Sequence, residues 1–392
     1  MTIDLAVPGS KSVTQRALVL AALADGPSEL RGALDCDDSR HLRAGLRALG
    51  IAIEDRDPAN WRVVPGPLRD PGRALFCGNA GTTLRFLSAL ALLLDAPLVL
   101  DGDEALRRRP LGDLTDALAA LGLSATWAGR PGCPPVTLRR VGVPGDEAVV
   151  GAGTSSQFAS ALLLVAPRLP HGLTVRPAGP AVSRPYLELT VECLRAFGVS
   201  VEERDGGWRV APGGPHGRSF AVEGDWSSAA FLLAAARITG RAVRLANLRA
   251  DSAQGDRAIV ELLARLDEPP PRFFDLRDCP DLLPPLAAAA AFAPGTTTIA
   301  GVAHARVKES DRPAVLAEGF RQAGVRVVEL PDGLRIEPGG EPLAATLDPR
   351  GDHRMAMAFG LLGLRRPDLR VTDPDCVSKS FPGFWQKLER LC

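Results

Sequence analysis

Residues 10–26 read SKSVTQRALVLAALADG, and five further stretches repeat the pattern: NAGTTLRFLSALALLLD (79–95), GTSSQFASALLLVAP (153–167), DWSSAAFLLAAARITG (225–240), DLLPPLAAAAAFAPG (281–295) and DHRMAMAFGLLGL (352–364). Each opens on a small polar or acidic cluster, runs through Ala and Leu, and ends near Gly or Pro, as a capped and largely buried helix does. After most copies comes a segment rich in Val, Leu, Ile and Thr, such as SELRGAL, PLVLDGD, GLTVRPAG or TTTIAGVA, which reads as a strand. A second helix then opens at Asp or Pro with apolar residues at i, i+3 and i+4, as in DDSRHLRAGLRALG, RPYLELTVECLRAFG, QGDRAIVELLARL and SDRPAVLAEGFRQAG. Strands such as IAIEDR, SVEERD and VRVVEL close the unit, and the sixth copy of the second helix, FPGFWQKLERL, is degenerate.

Six units of this βαβαβ type predict an α/β (α+β) fold of two similar domains with three repeats each. A chain of 392 residues is long enough for two cores. The expected boundaries are 10–224 for the first domain and 1–9 with 225–392 for the second, joined by two hinge strands near Gly9–Lys11 and Glu223–Trp226. A solenoid with a passive binding surface is the alternative. Against it stands the recurrence of polar clusters at helix N-termini, where unsatisfied N–H groups gather anions.

Composition narrows the function classes. Lys+Arg and Asp+Glu both number 46, so no global charge points to nucleic acid or an anionic membrane, and a cationic site must be local. The longest apolar runs, Leu282 to Phe292 among them, fall short of the roughly 20 residues that span a bilayer. MTIDLAVPGSKS has neither a basic n-region nor an apolar h-region, so a cytoplasmic location is expected. Seven cysteines stand without CxxC spacing and five histidines without HxxxH, so no metal or cofactor is expected and the thiols are read as buried and reduced.

Several helix starts carry candidate chemistry. PGSKSVTQR offers Ser10 and Ser12 as hydroxyl donors and Lys11 and Arg16 as cations, without the first glycine of a nucleotide-binding P-loop. GNAGTTLRF combines Asn79, Gly81 and Thr82 with Arg85 one turn on, and GTSSQF adds Ser155, Ser156 and Gln157. Each reads equally well as a plain helix cap. ALRRRPLG concentrates Arg107, Arg108 and Arg109, HARVKESDRP alternates Lys308, Glu309, Asp311 and Arg312, DHRMAM supplies Asp352, His353 and Arg354, and VSKSF supplies Lys379.

Taken in order, PGSKSxxxR, NAGTTxR, RxRPxG, GTSSQF, SRPY, PD, RVKESDR, DHRMAM and SKSFP resemble the enolpyruvylshikimate-phosphate synthase family over nearly the whole chain. The resemblance implies two domains whose helix N-termini face an interdomain cleft. It also implies transfer of the enolpyruvyl group of phosphoenolpyruvate to the 5-hydroxyl of shikimate 3-phosphate, with release of phosphate, by a monomer. Lys11, Ser12, Arg16, Ser155, Ser156, Gln157, Ser183, Asp281 and Lys308 are expected on shikimate 3-phosphate, with Tyr186 lining that side. Lys11, Gly81, Arg109, Gln157, Arg312, Arg354 and Lys379 are expected on phosphoenolpyruvate. Asp281 is expected to act as base, with Glu309 and Lys11 as proton donors.

The two substrates bring about five to six negative charges. Seven cations are expected to meet them: Lys11, Arg16, Arg109, Lys308, Arg312, Arg354 and Lys379. Left without substrate, those cations are expected to repel one another across the cleft and hold the enzyme open. A side chain at Gly81 is expected to crowd phosphoenolpyruvate and, more strongly, its competitor glyphosate, unless Gly81 serves only a turn of positive φ. His304 departs from the Asn of many relatives, and Thr83-Leu84 from the common Ala-Met pair. The rival UDP-N-acetylglucosamine enolpyruvyl transferase carries a loop cysteine and a Lys-Asn pair that this chain lacks, and a non-catalytic anion binder would not need Asp281 and Glu309.

Overall fold

The computed structural model describes residues 2–151, 153–337, 339–341 and 343–392. They form two compact units, one of Gly9–Glu223 and the other of Met1–Pro8 with Gly224–Cys392.

The first unit holds α1 (Lys11–Ala22), α2 (Asp37–Ala48), α3 (Gly81–Leu90), α4 (Gly112–Ala120), α5 (Gln157–Val165) and α6 (Arg184–Ala196). Apolar residues run all round α1, α3 and α5, so these three cannot sit at a surface and pack against one another in the middle. Their partners α2 and α6 are amphipathic and cover them. Three four-stranded sheets complete the unit. In the first, Ser28–Arg31 pairs in parallel with Ser219–Ala221 and antiparallel with Asn60–Val64, and Ala52–Asp57 lies outermost. The sheets around Leu98–Asp101 and Leu173–Ala178 have the same order.

The second unit holds α7 (Trp226–Thr239), α8 (Ile259–Ala264), α9 (Leu283–Ala290), α10 (Arg312–Gln322), α11 (His353–Gly363) and α12 (Phe384–Glu389). Here α7, α9 and α11 form the buried triplet. One four-stranded sheet is built from Arg272–Asp275, Thr297–Ala300, Gly333–Ile336 and Val327–Leu330. Thr2–Leu5 pairs only with Ala242–Leu245, and Ala345–Leu347 only with Leu369–Val371. The fourth and sixth repeats thus lack their hairpin among the described residues, a departure from six full βαβαβ units. In the fourth the reason is local. The segment after α8 carries Pro269, Pro270 and Pro271, which offer no N–H to a ladder, and it leads straight into the edge strand of the next sheet.

Asn247 fixes the N-terminal segment within this unit. Its side chain accepts from Val7 N at 3.0 Å and donates to Val7 O at 2.7 Å, while its own carbonyl accepts from Gly224 N at 3.0 Å. Asn247→Ala removes two side-chain hydrogen bonds to part-buried backbone groups, each worth about 1 kcal/mol. A loss of about 2 kcal/mol is expected in urea unfolding, and an unchanged midpoint would refute this anchoring role.

Candidate active site

In the first unit most of the expected residues stand at or beside helix starts. Ser10 caps α1, its Oγ accepting from Val13 N at 3.4 Å, and the next residue, Lys11, reaches Asp38 at the start of α2, Nζ to Oδ2 3.1 Å. Asp38 is 2% exposed, so Lys11 is held by a buried carboxylate that the sequence reading did not single out. The one available signal was the paired acid that opens DDSRHL. Gly81 begins α3 with the Arg109 guanidinium lying over it. A Cβ at Gly81 would stand 2.6 Å from Arg109 Cζ and 2.7 Å from its Nη2. Gly81 lies outside the left-handed region, so the positive-φ alternative for this glycine is removed.

Arg85 is the second group that went unassigned. From one turn into α3 its Nη1 donates to Gln157 Oε1 at 2.5 Å and Ser155 Oγ at 3.4 Å, its Nη2 donates to Pro110 O at 3.3 Å, and its Cζ stands 4.8 Å from the Phe158 ring centre. It therefore sets the head of α5, where Ser155, Ser156 and Gln157 lie. A charged residue inside the apolar run TTLRF was the clue. Ser183 stands just before α6 in the left-handed region, φ 56°, which is uncommon for a residue with a Cβ.

Arg16, expected on shikimate 3-phosphate, spends most of its N–H groups within the protein. It is 1% exposed, and four of its five N–H groups are taken, by Thr190 Oγ1 (2.8 Å), Ser160 Oγ (3.2 Å), Tyr186 O (3.0 Å) and Ser12 O (3.0 Å). Burial lowers its pKa. It rivets α1 to α5 and α6, and through the carbonyls of Ser12 and Tyr186 it fixes two residues of the expected site.

The second unit gathers Asp281, Lys308, Glu309, Arg312 and Arg354 into one network. Asp281 lies in the 3₁₀ turn Pro280–Leu282 ahead of α9, Arg312 begins α10, and His353 and Arg354 begin α11. Asp281 Oδ1 accepts from Lys308 Nζ at 2.8 Å and Arg312 Nη1 at 2.7 Å, and its Oδ2 lies 3.0 Å from Arg354 Nη2. Arg312 continues to Glu309 Oε2 and to Asp352 Oδ2, both at 2.9 Å. Asp352 also caps α11, its Oδ1 accepting from Arg354 N at 3.0 Å. Lys379 is buried at the end of the turn Pro374–Lys379, which packs on α11.

The electrostatics follow from this wiring. Burial alone pushes the Asp281 carboxyl up, but Arg354, Lys308 and Arg312 outweigh it and hold it well below the usual carboxylate range. Burial lowers Lys308 against the pull of Asp281. Burial would also lower Arg312, yet Asp352, Glu309 and Asp281 more than reverse it. His304 is pushed down to about 4 by burial and then by Lys308, so its ring is neutral near pH 7. Lys308, Arg312 and Arg354 sit on carboxylates, as does Lys11, so these four cations are not bare within their own units. Among the described residues, no three His, Cys, Asp or Glu side chains are placed to hold a metal ion. Five cysteines are buried, and burial first pushes the Cys36 thiol to about 11 and those of Cys77 and Cys193 to about 12, so these three are not activated nucleophiles.

Removing one member of a buried ion network strands the rest, at a cost of about 3 to 5 kcal/mol. Arg312→Met is expected to lose that much in denaturant titration at pH 8 and less at pH 5, where the stranded carboxylates take up protons. A loss under about 1 kcal/mol at pH 8, on the scale of an exposed pair, would contradict the network.

Comparison with known proteins places these features in context. The family model for EPSP synthase (3-phosphoshikimate 1-carboxyvinyltransferase) matches residues 1–388. A 3-phosphoshikimate 1-carboxyvinyltransferase of Methanothermobacter thermautotrophicus is 40% identical over 400 residues, covering 98% of this chain and 94% of that protein. One from Thiobacillus denitrificans is 40% identical over 412 residues, covering 98% and 96%. The solved EPSP synthase of Acinetobacter baumannii superposes with a TM-score of 0.80 at 26% identity, covering 100% of this chain and 95% of the other.

Proposed function

The chain belongs to the EPSP synthase (3-phosphoshikimate 1-carboxyvinyltransferase) family, and from that premise we propose which of its residues carry the reaction. The enzyme moves the enolpyruvyl group of phosphoenolpyruvate onto the 5-hydroxyl of shikimate 3-phosphate and releases phosphate, a step in the shikimate pathway to chorismate and the aromatic amino acids. Its substrates are small molecules. Protonation of the phosphoenolpyruvate methylene and addition of the hydroxyl give a tetrahedral intermediate that carries a methyl group, and loss of phosphate together with a proton of that methyl restores the double bond in the product.

The observation that carries the assignment is one carboxylate, Asp281, held by three cations beside a second acid, Glu309, on the same guanidinium. Asp281 in this reading takes the proton of the attacking hydroxyl, and Glu309, with Lys11, supplies one to the methylene. Three cations make Asp281 a weak base in the empty enzyme. The phosphate and carboxylate groups of the substrates compete for Lys308 and Arg354, and each cation drawn toward a substrate lets the affinity of Asp281 for a proton rise. The base thus strengthens when there is a hydroxyl to act on.

Ser155, Ser156, Gln157, Ser183 and Lys308 serve shikimate 3-phosphate in this reading, with Ser12 and the one remaining N–H of Arg16. Gly81, Arg109, Arg312, Arg354 and Lys379 serve phosphoenolpyruvate, Arg312 chiefly by orienting its carboxylate partners, and Lys11 and Gln157 serve both.

Phosphate release with both substrates present, and with neither alone, tests the activity against mere anion binding. Asp281→Asn and Glu309→Gln are each expected to lower kcat by at least about a hundredfold while shikimate 3-phosphate still binds. Near-normal turnover in both would end the acid–base assignment. Gly81→Ala is expected to leave Tm in place, because its backbone is helical, and to raise KM for phosphoenolpyruvate about five- to a hundredfold as the new methyl displaces Arg109. Glyphosate, the longer ligand, is expected to lose more than phosphoenolpyruvate. Equal losses with a lowered Tm would defeat the pocket role.

A further inference from the structure

Thr83 stands where the common Ala-Met pair has no hydroxyl to offer, and it has no part in the roles above. It is fully buried in the first turn of α3. Its Oγ1 donates to Asp38 O at 2.9 Å, so a side chain of α3 holds the backbone in the first turn of α2. The carboxylate of the same Asp38 meets Lys11 at the start of α1, Oδ2 to Nζ 3.1 Å.

The head of α2 is fastened from α1 as well. Thr14 Oγ1 accepts from Leu34 N at 3.0 Å, and Ser39 Oγ donates to Leu34 O at 2.6 Å while accepting from Cys36 N at 3.0 Å. Thr14 and Ser39 are also fully buried. These bonds close a circuit within the first unit: from α1 through Thr14 and the loop at Leu34 to the first turn of α2, and from there through Asp38 back to Lys11. Thr83 ties that circuit to α3.

A lysine has a long flexible stem and an ammonium that donates in three rotatable directions, so Lys11 brings no geometry of its own. Its direction has to come from its partner, and the partner's from the backbone that carries it. We infer that Thr83 and Asp38 are positioning residues for Lys11: the Thr83 hydroxyl fixes the Asp38 backbone, and the Asp38 carboxylate holds the ammonium where it serves the reaction. The inference rests on the reading of Lys11 as a proton donor.

Two consequences set this role apart from packing. The hydroxyl of Thr83 matters and its methyl does not. Asp38 also competes with substrate anions for the Lys11 ammonium, so it supports turnover while it opposes binding. A loss of packing would instead weaken both.

The test measures kcat, the KM for phosphoenolpyruvate and Tm for Thr83→Val, Thr83→Ser, Asp38→Asn and the double variant Thr83→Val/Asp38→Asn. Thr83→Val keeps the shape of the side chain and removes the donor, and its kcat is expected to fall about three- to tenfold, the rate equivalent of roughly one hydrogen bond. Thr83→Ser keeps the donor and is expected to stay within about twofold of wild type. Asp38→Asn is expected to lower kcat about ten- to a hundredfold without raising the KM for phosphoenolpyruvate. Because both residues act on one ammonium, the double variant is expected to be no slower than Asp38→Asn alone. The two Thr83 variants decide the matter even where Asp38→Asn lowers Tm too far to assay. A Thr83→Val enzyme as fast as wild type, a Thr83→Ser enzyme as slow as Thr83→Val, additive losses in the double variant, or a raised KM with unchanged kcat in Asp38→Asn overturns the inference. Near-normal turnover in Lys11→Met would instead remove the premise, so the two failures are told apart.

Discussion

The guanidinium of Arg312, 1% exposed, reaches three carboxylates that come from three different places in the chain: Asp281 ahead of α9, Glu309 ahead of α10, and Asp352 ahead of α11. Carrying a guanidinium and its three carboxylates out of water is expensive, and a buried network of this kind is a poor source of net stability. What it supplies is geometry. Each of its N–H groups has a fixed direction, so the heads of the helices are set against one another by the planar fork of one residue. Its neighbours in the ion network are set by that fork. Lys308 meets the same oxygen of Asp281 that Arg312 does, Arg354 takes the other, and Asp352 both caps α11 and orients Arg312.

The first unit solves the same problem with different partners. Arg16 and Arg85 are also buried and also join helices, yet they are met by hydroxyls, carbonyls and an amide. Neutral partners orient a guanidinium without cancelling its charge. The contrast suits a division of labour in which the first unit mainly attracts anions and the second, where acids and cations alternate, moves protons.

Much of this was legible in the sequence, for physical reasons that can be named. Helices such as α1 and α7 announce themselves because an Ala/Leu run behind a Ser or Asp cap has few other stable forms. Glu309 and Arg312 stand three residues apart, so their pairing is local and readable. The partners of Arg16 are not, since Ser160 and Thr190 stand 144 and 174 residues away. Asp38 was hidden for a like reason: an acid at a helix start reads as a complement to the helix dipole, and only the folded chain brings Lys11 to it. The strand pairings of Thr2–Leu5 with Ala242–Leu245 and of Ser28–Arg31 with Ser219–Ala221 were equally out of reach of local pattern. The missing hairpin of the fourth repeat was readable in principle, because three consecutive prolines forbid it.

Carboxylates in a site proposed for anionic substrates run against a count of charge alone. The physics favours them. Bare buried cations lose their hydration with nothing in return, so they either shift their pKa or pull water in, and both outcomes blur the positions that catalysis needs. A carboxylate partner keeps each cation charged and aimed while the site is empty. When a phosphate arrives it does not meet a disordered set of lysines and arginines, but donors already oriented, and reorganisation at the moment of reaction is small. The cost is that substrate must compete with Asp281 and Glu309 for the same N–H groups, which weakens binding. In the proposed mechanism that competition is also what makes the arrangement useful, because binding energy spent in drawing Lys308 and Arg354 away from Asp281 would reappear as basicity at the Asp281 carboxylate.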